Sequence, residues 1–267
     1  MGQTVTPNRM GKKADNDDNS ARKRTLDFQN NNRSNPSPIP LEKCPWCDAE
    51  FQRNSFQLLP NIDQPTNLRV FCANRHCHFR GDNPLPIVAV DEPIYRRLPC
   101  FIISTVDKFA SLAWVGETGA LFGRVDGYDN DGFYGPTQPG RGKPLGGYLP
   151  PPDLIIQDEL HLISGPLGTM VGLYETAIDA LCSQEINGKK IRPKIVASTA
   201  TVRRASKQIQ ALFGRSEVDI FPPPGPDRRD SFFAKTVPAT EKNARIYLGI
   251  TAQGRSLKVV LLRSYLA

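Results

Sequence analysis

The chain has 267 residues, of which 39% are hydrophobic, and a formal net charge of +7. That length allows one substantial core and a second small one. No apolar run reaches the roughly eighteen residues of a membrane-spanning helix, and no hydrophobic signal segment follows Met1, so no membrane is expected among its partners and the cytoplasm is the expected location. The basic balance suits a polyanionic partner, although pairs such as Arg96-Arg97, Lys189-Lys190 and Arg228-Arg229 are scattered as solvated surface charges also are.

Residues 1–40 are rich in Asn, Asp, Ser, Lys and Pro. With few large apolar side chains to offset the entropy of ordering, they are expected to be disordered or a long loop. Residues 41–82 carry two close cysteine pairs, Cys44/Cys47 as C-x2-C and Cys72/Cys77 as C-x4-C. Without a secretory signal, such spacing argues for a metal rather than disulfides. Four thiolates on two tight loops make a closed tetrahedral set, so the expectation is a zinc ribbon holding a structural Zn2+. His76 and His78 remain alternatives to one of the sulfurs, and Arg75, Phe79 and Arg80 beside them suit either a nucleic-acid contact or a brace for the fold. Cys100 and Cys182 sit alone in apolar segments and are expected to be core residues.

From residue 83 to 226 an alternation recurs three times: a short β-branched run, a turn and a helical pattern. The runs Cys100–Ser104 (CFIIS), Leu154–Gln157 (LIIQ) and Lys194–Ala197 (KIVA) are apolar enough for burial on both faces, as parallel strands require. The helices expected after them cover about 106–114, 167–181 and 203–213; in the second, Leu167, Met170, Val171, Tyr174, Ala177, Ile178 and Leu181 form one stripe. Such alternation predicts a doubly wound α/β domain. Residues 116–152, dense in Gly and Pro, read as a surface insertion. The Pro222–Pro226 segment reads as a hinge, after which 227–267 offer a strand at Ala244–Gly249 and a helix at Leu257–Leu266.

Asp158 and Glu159 follow LIIQ directly. A carboxylate at the C-terminal end of a buried parallel strand is where phosphate-cleaving motors hold magnesium, and a second one can orient the attacking water. An acidic pair after a strand is also common as an ordinary loop or helix cap. Here the next strand, KIVA, runs into a second small polar turn, Ser198-Thr199-Ala200-Thr201. Upstream, Ser104, Thr105 and Lys108 open a helix whose first turn suits a backbone phosphate of nucleic acid, or an ordinary helix cap. Gly140-Arg141-Gly142-Lys143 is not a Walker A loop: Thr137 stands at the position of its first glycine and Pro144 replaces its Ser/Thr. A flexible loop is the expectation there.

The acidic segment Asp158-Glu159-Leu160-His161 and the later Ser-Thr-Ala-Thr turn resemble motifs II and III of superfamily 2 DExH helicases. ISTVDKFA (Ile103–Ala110), the stretch from Pro151 to Thr176, the turn and FPPPG (Phe221–Gly225) are together similar to the helicase-like subunits of the DISARM antiphage system. The resemblance implies an incomplete RecA-like P-loop NTPase domain, a parallel sheet with helices on both faces, bearing a zinc-ribbon insertion. It also implies ATP with Mg2+ as cofactor, and nucleic acid, DNA first, and other defence-system subunits as partners. Asp158, Glu159 and His161 would be catalytic, with Asp158 and Glu159 also the cofactor contacts; residues 198–201 would couple; and Ser104, Thr105 and Lys108 would touch the strand. The lysine-bearing phosphate loop and most of the second RecA-like domain are missing, so the chain reads as a fragment, expected neither to hydrolyse ATP nor to unwind DNA alone. The alternative is a zinc-ribbon nucleic-acid-binding module on an inactive ATPase scaffold.

Overall fold

The computed structural model describes residues 6–106, 108, 112–147, 149–160, 166–199, 205–221, 226–227, 229–230 and 232–266. The chain divides into two compact units, Met1–Arg203 and Arg204–Ala267.

The first unit starts with α1 (Ala21–Asn30), which corrects the expectation of a disordered or loop segment over 1–40. Ser20 caps it, its hydroxyl accepting from the Lys23 N–H at 3.3 Å. Ala21, Thr25 and Phe28 form one buried stripe. The segment is polar in composition, but its few apolar residues are placed to dock: Phe28 meets the Phe56 ring edge-on at 5.3 Å. Strands β1 (Phe56–Leu59) and β2 (Asn67–Val70) form an antiparallel hairpin with Phe56 opposite Val70 and Leu58 opposite Leu68. Alternation sends those four side chains inward. With Met10, Ile39, Phe51, Leu85 and Val90 they make one core, which reaches well beyond 41–82 on both sides.

Helix α2 (Asp91–Arg97) follows. The strand expected at 100–104 does not form: these residues are irregular, with Phe101 68% and Ile103 86% exposed. Cys100 is likewise exposed rather than core, whereas Cys182 is buried. An apolar run needs a neighbour to complete a ladder, and none pairs with this one among the described residues.

The 116–152 insertion has structure of its own. After a 3-10 turn at Gly116–Phe122, strands β3 (Gly127–Asp129), β4 (Gly132–Tyr134) and β5 (Lys143–Pro144) form an antiparallel sheet in the order β4-β3-β5. Ala120, Phe122, Val125 and Tyr134 are buried there. The segment expected to be a flexible Gly-Arg-Gly-Lys loop therefore enters a sheet. Gly142, at φ +77°, lies so close to the Tyr128 carbonyl that a Cβ would come within 2.6 Å of it.

Strands β6 (Leu154–Gln157) and β9 (Lys194–Ala197) are parallel, with Leu154 opposite Lys194 and Gln157 opposite Ala197. Between them the chain forms α3 (Pro166–Cys182) and a hairpin of β7 (Gln184–Ile186) and β8 (Lys189–Ile191). Asn187 and Gly188, both at positive φ, make the tight turn that hairpins favour. Asp179 near the end of α3 accepts from Arg192 Nη2 at 2.5 Å and Nε at 3.0 Å, pinning the helix to the start of β9. The architecture is mixed α/β with a small parallel sheet.

The second unit contains α4 (Ala205–Phe213) and α5 (Leu257–Leu266). The strand expected at Ala244–Gly249 is absent: Ile246, Tyr247 and Leu248 lie in irregular chain and are 90%, 84% and 82% exposed. Most of the expected hinge at 222–226 lies outside the described residues. Among the described residues no helix is long and apolar enough to cross a membrane.

Candidate functional site

The acidic pair and the polar turn meet. Asp158 leaves the C-terminal end of β6 and Ser198 that of β9, and parallel pairing sets these ends side by side. The Ser198 hydroxyl donates to Asp158 Oδ1. The Glu159 N–H donates to the same oxygen at 2.9 Å. The backbones are stitched as well: Ser198 N–H donates to the Gln157 carbonyl at 2.8 Å and Leu160 N–H to the Ser198 carbonyl at 3.0 Å. Leu160 is buried. Glu159 has φ +54°, a left-handed conformation unusual for a residue other than glycine, which turns the chain sharply after the strand. The Ser198 hydroxyl and then the Glu159 N–H hold the Asp158 carboxyl below its ordinary value, so it is ionised at neutral pH. An exposed carboxylate at the carboxyl end of parallel strands can take a cation.

A second constellation lies beside the β1–β2 hairpin. The Sγ atoms of Cys44, Cys47, Cys72 and Cys77 all lie within 4.8 Å of one another, Cys44 to Cys77 at 3.9 Å and Cys47 to Cys72 at 3.5 Å. Sulfurs each about 2.3 Å from a tetrahedral zinc stand about 3.8 Å apart, so the cluster fits a zinc site. Backbone bonds shape both knuckles: Asp48 N–H to the Cys44 carbonyl at 2.9 Å, Cys44 N–H to the Ala49 carbonyl at 2.8 Å, and Cys72 N–H to the Phe79 carbonyl at 2.7 Å. A hydrogen bond from the Ala49 backbone brings the Cys47 thiol down to about 7, while burial pushes Cys72 up to about 12 and moves Cys77 the same way. His76 and His78 are not part of the cluster. The His78 ring instead packs edge-on against Phe79 at 5.1 Å.

No family model matches the chain. Over 235 residues it is 42% identical to DISARM protein DrmA of Bacillus paralicheniformis, an alignment covering 84% of this chain. The chain is DrmA-like. It spans only 21% of that relative's length.

The other residues singled out from the DrmA-like sequence have mixed positions. His161, Ala200 and Thr201 lie outside the described residues, and Thr199 is exposed beside Ser198. Ser104 and Thr105 are exposed, with the Ser104 hydroxyl on the Thr105 carbonyl at 3.2 Å. Lys108 is engaged: its Nζ donates to Asp91 Oδ2 at 2.5 Å and to Asn8 Oδ1 at 2.7 Å. One residue at the site escaped sequence reasoning. Glu175 of α3 hydrogen-bonds the side chain of Gln157, the last residue of β6, and burial pushes its carboxyl up to about 7 against the opposing pull of that bond. Its spacing from Val171 and Ile178, four back and three on, placed it on the helix face turned inward.

Proposed function

We propose that this DrmA-like chain carries the acidic half of the nucleotide site of a RecA-like, superfamily 2 DNA motor in a DISARM defence system. The observation that carries the reading is the junction of Asp158 with Ser198, because it joins the acidic strand end to the polar turn of the neighbouring strand. The residues fit magnesium-bound ATP: the acceptor is ionised, exposed and at the strand's carboxyl end. When bound, that cofactor supplies a divalent cation and a transferable phosphoryl group.

In this reading Asp158 keeps one oxygen on the Ser198 hydroxyl and would hold the cation. Glu159, aimed by its left-handed backbone, orients water. Leu160 seals the floor of the site. Ser198 and Thr199, with Ala200 and Thr201, couple changes at Asp158 to the rest of the motor. His161 belongs to the same linkage, and Ser104 and Thr105 contact the nucleic-acid backbone. Lys108 acts there indirectly, through its bond to Asp91. The cysteine cluster holds a structural Zn2+, and the other subunits of the defence system are partners.

The test is ATP hydrolysis by the full-length protein, with and without DNA. Glu159→Gln and Asp158→Ala are each expected to reduce turnover by at least about a hundredfold. Undiminished turnover in either variant overturns the reading.

A further inference from the structure

The Gly-Arg-Gly-Lys segment, unsuited to a nucleotide loop, brings a charged side chain to another place. Arg141 from this segment and Arg96 from α2 converge on one ring, their guanidinium carbons 4.5 and 4.4 Å from the centroid of Tyr134. Both donate to a single acceptor, Gln138 Oε1, Arg96 through Nη2 at 2.9 Å and Arg141 through Nη1 at 3.1 Å. The ring is fixed in turn: Tyr134 is 2% exposed and its hydroxyl donates to Asp129 Oδ1 at 2.9 Å. Gly132 packs so tightly on the Arg96 carbonyl that a Cβ would come within 2.3 Å of it.

The Asp129 carboxylate balances part of the Arg141 charge, and an anion between the two guanidinium groups, which share one neutral oxygen, would balance the rest. Each has five N–H donors, of which Gln138 takes one, and stacking on an aromatic ring leaves the in-plane donors available. A pocket beside them is lined by Arg96, Thr137 and Gln138 with Tyr95, Phe133 and Glu117. Arg141 is exposed, so a ligand too large to enter a pocket can reach the pair.

We infer that Arg96 and Arg141 form a clamp for a backbone phosphate of a nucleic-acid strand, an inference that rests on the nucleic-acid reading above. A phosphate presents two or more oxygens to a planar fork of donors, which Arg matches bidentately. The insertion is then a second hold on the strand, built outside the nucleotide site. Tyr134 and Gln138 are positioning residues that keep the two forks together.

The test is binding of a labelled oligothymidylate to the whole 267-residue chain, followed by fluorescence anisotropy across a salt series without nucleotide. Arg141→Gln, at an exposed position, is expected to weaken binding about fivefold and to flatten the slope of log affinity against log salt by about 0.7. Adding Arg96→Gln is expected to double that flattening. Arg141→Lys keeps the slope and loses affinity, since it retains the charge but not the fork. An Arg141→Gln chain with unchanged circular dichroism that binds as the wild type overturns the inference. So does equal binding of an oligonucleotide with an uncharged methylphosphonate backbone, or equally effective competition by polyglutamate. Because no nucleotide is present, these outcomes are read separately from the ATP-hydrolysis test.

Discussion

The β1–β2 hairpin and the parallel strand pair of the first unit are built from similarly apolar strands and end in opposite states. Phe56, Leu58, Leu68 and Val70 are all less than a tenth exposed, whereas Leu154, Ile156 and Val196 are 48%, 60% and 44% exposed. The difference follows from how each sheet finds its cover. An antiparallel hairpin closes locally, and this one receives α1 on one side and the cysteine knuckles nearby. A parallel pair depends on crossover elements and further strands for both faces, and among the described residues β6 and β9 pair only with each other. Cohesion in this unit therefore resides in the core around the β1–β2 hairpin, while the acidic junction sits on a sheet with little apolar cover.

The sharpest way to break that contrast is to remove the zinc proposed for the cysteine cluster. Chelation, or Cys72→Ser, is expected to cost on the order of 10 kcal/mol of ribbon stability. The readouts are loss of one zinc per chain and collapse of near-ultraviolet dichroism; a metal-free chain with an unchanged spectrum contradicts the zinc assignment. Next in size is a pair of truncations. Phe56→Ala is expected to lower unfolding free energy by about 3–5 kcal/mol, and Ile156→Ala by no more than about 0.5 kcal/mol. Equal costs in denaturant titration would erase the contrast. Two changes in α1 are expected to differ in sign. Ser20→Ala removes the cap and costs about 1 kcal/mol. Thr25→Val gains about 1 kcal/mol, because the Thr25 hydroxyl is buried without a hydrogen-bond partner.

A pH dependence sharpens the picture of the strand end. Folding raises the Glu175 pKa from its ordinary 4.5 to about 7. The folded state thus binds more protons than the unfolded one between those values, and stability falls as pH rises across that window. Glu175→Gln is expected to match the wild type at pH 5 and to melt higher at pH 8. A wild type that gains stability from pH 5 to 8, with the variant unchanged, would show the sign to be wrong.

Much of the junction was legible in the sequence. LIIQ and KIVA pair as parallel strands, and the helix expected at 167–181 spans Pro166–Cys182, because length and period separate strand from helix when both are strongly patterned. Cysteine spacing pointed to the cluster because two short loops leave few ways to arrange four sulfurs. The runs CFIIS and ARIYLG misled, since apolar content records an affinity for burial and says nothing about whether a partner strand is at hand. Lys108 read as a phosphate ligand because its acceptors, Asp91 and Asn8, lie 17 and 100 residues away. Helix α1 was hidden by composition: four well-placed residues, Met10, Ala21, Phe28 and Ile39, dock a segment that is otherwise polar.

The clasp made by that first helical segment sets where the chain can be cut. Met10 N–H donates to Glu92 Oε2 at 3.0 Å, Lys13 N–H to the Asp63 carbonyl at 2.8 Å, and Gln29 Nε2 to the Phe56 carbonyl at 2.9 Å. A recombinant start at Leu41, which composition alone would recommend, removes all three donors and the Phe28 ring that covers Phe56. Such a truncation would present a wet aromatic surface where the intact protein has an interior, and its insolubility would say nothing about the metal site it was made to study.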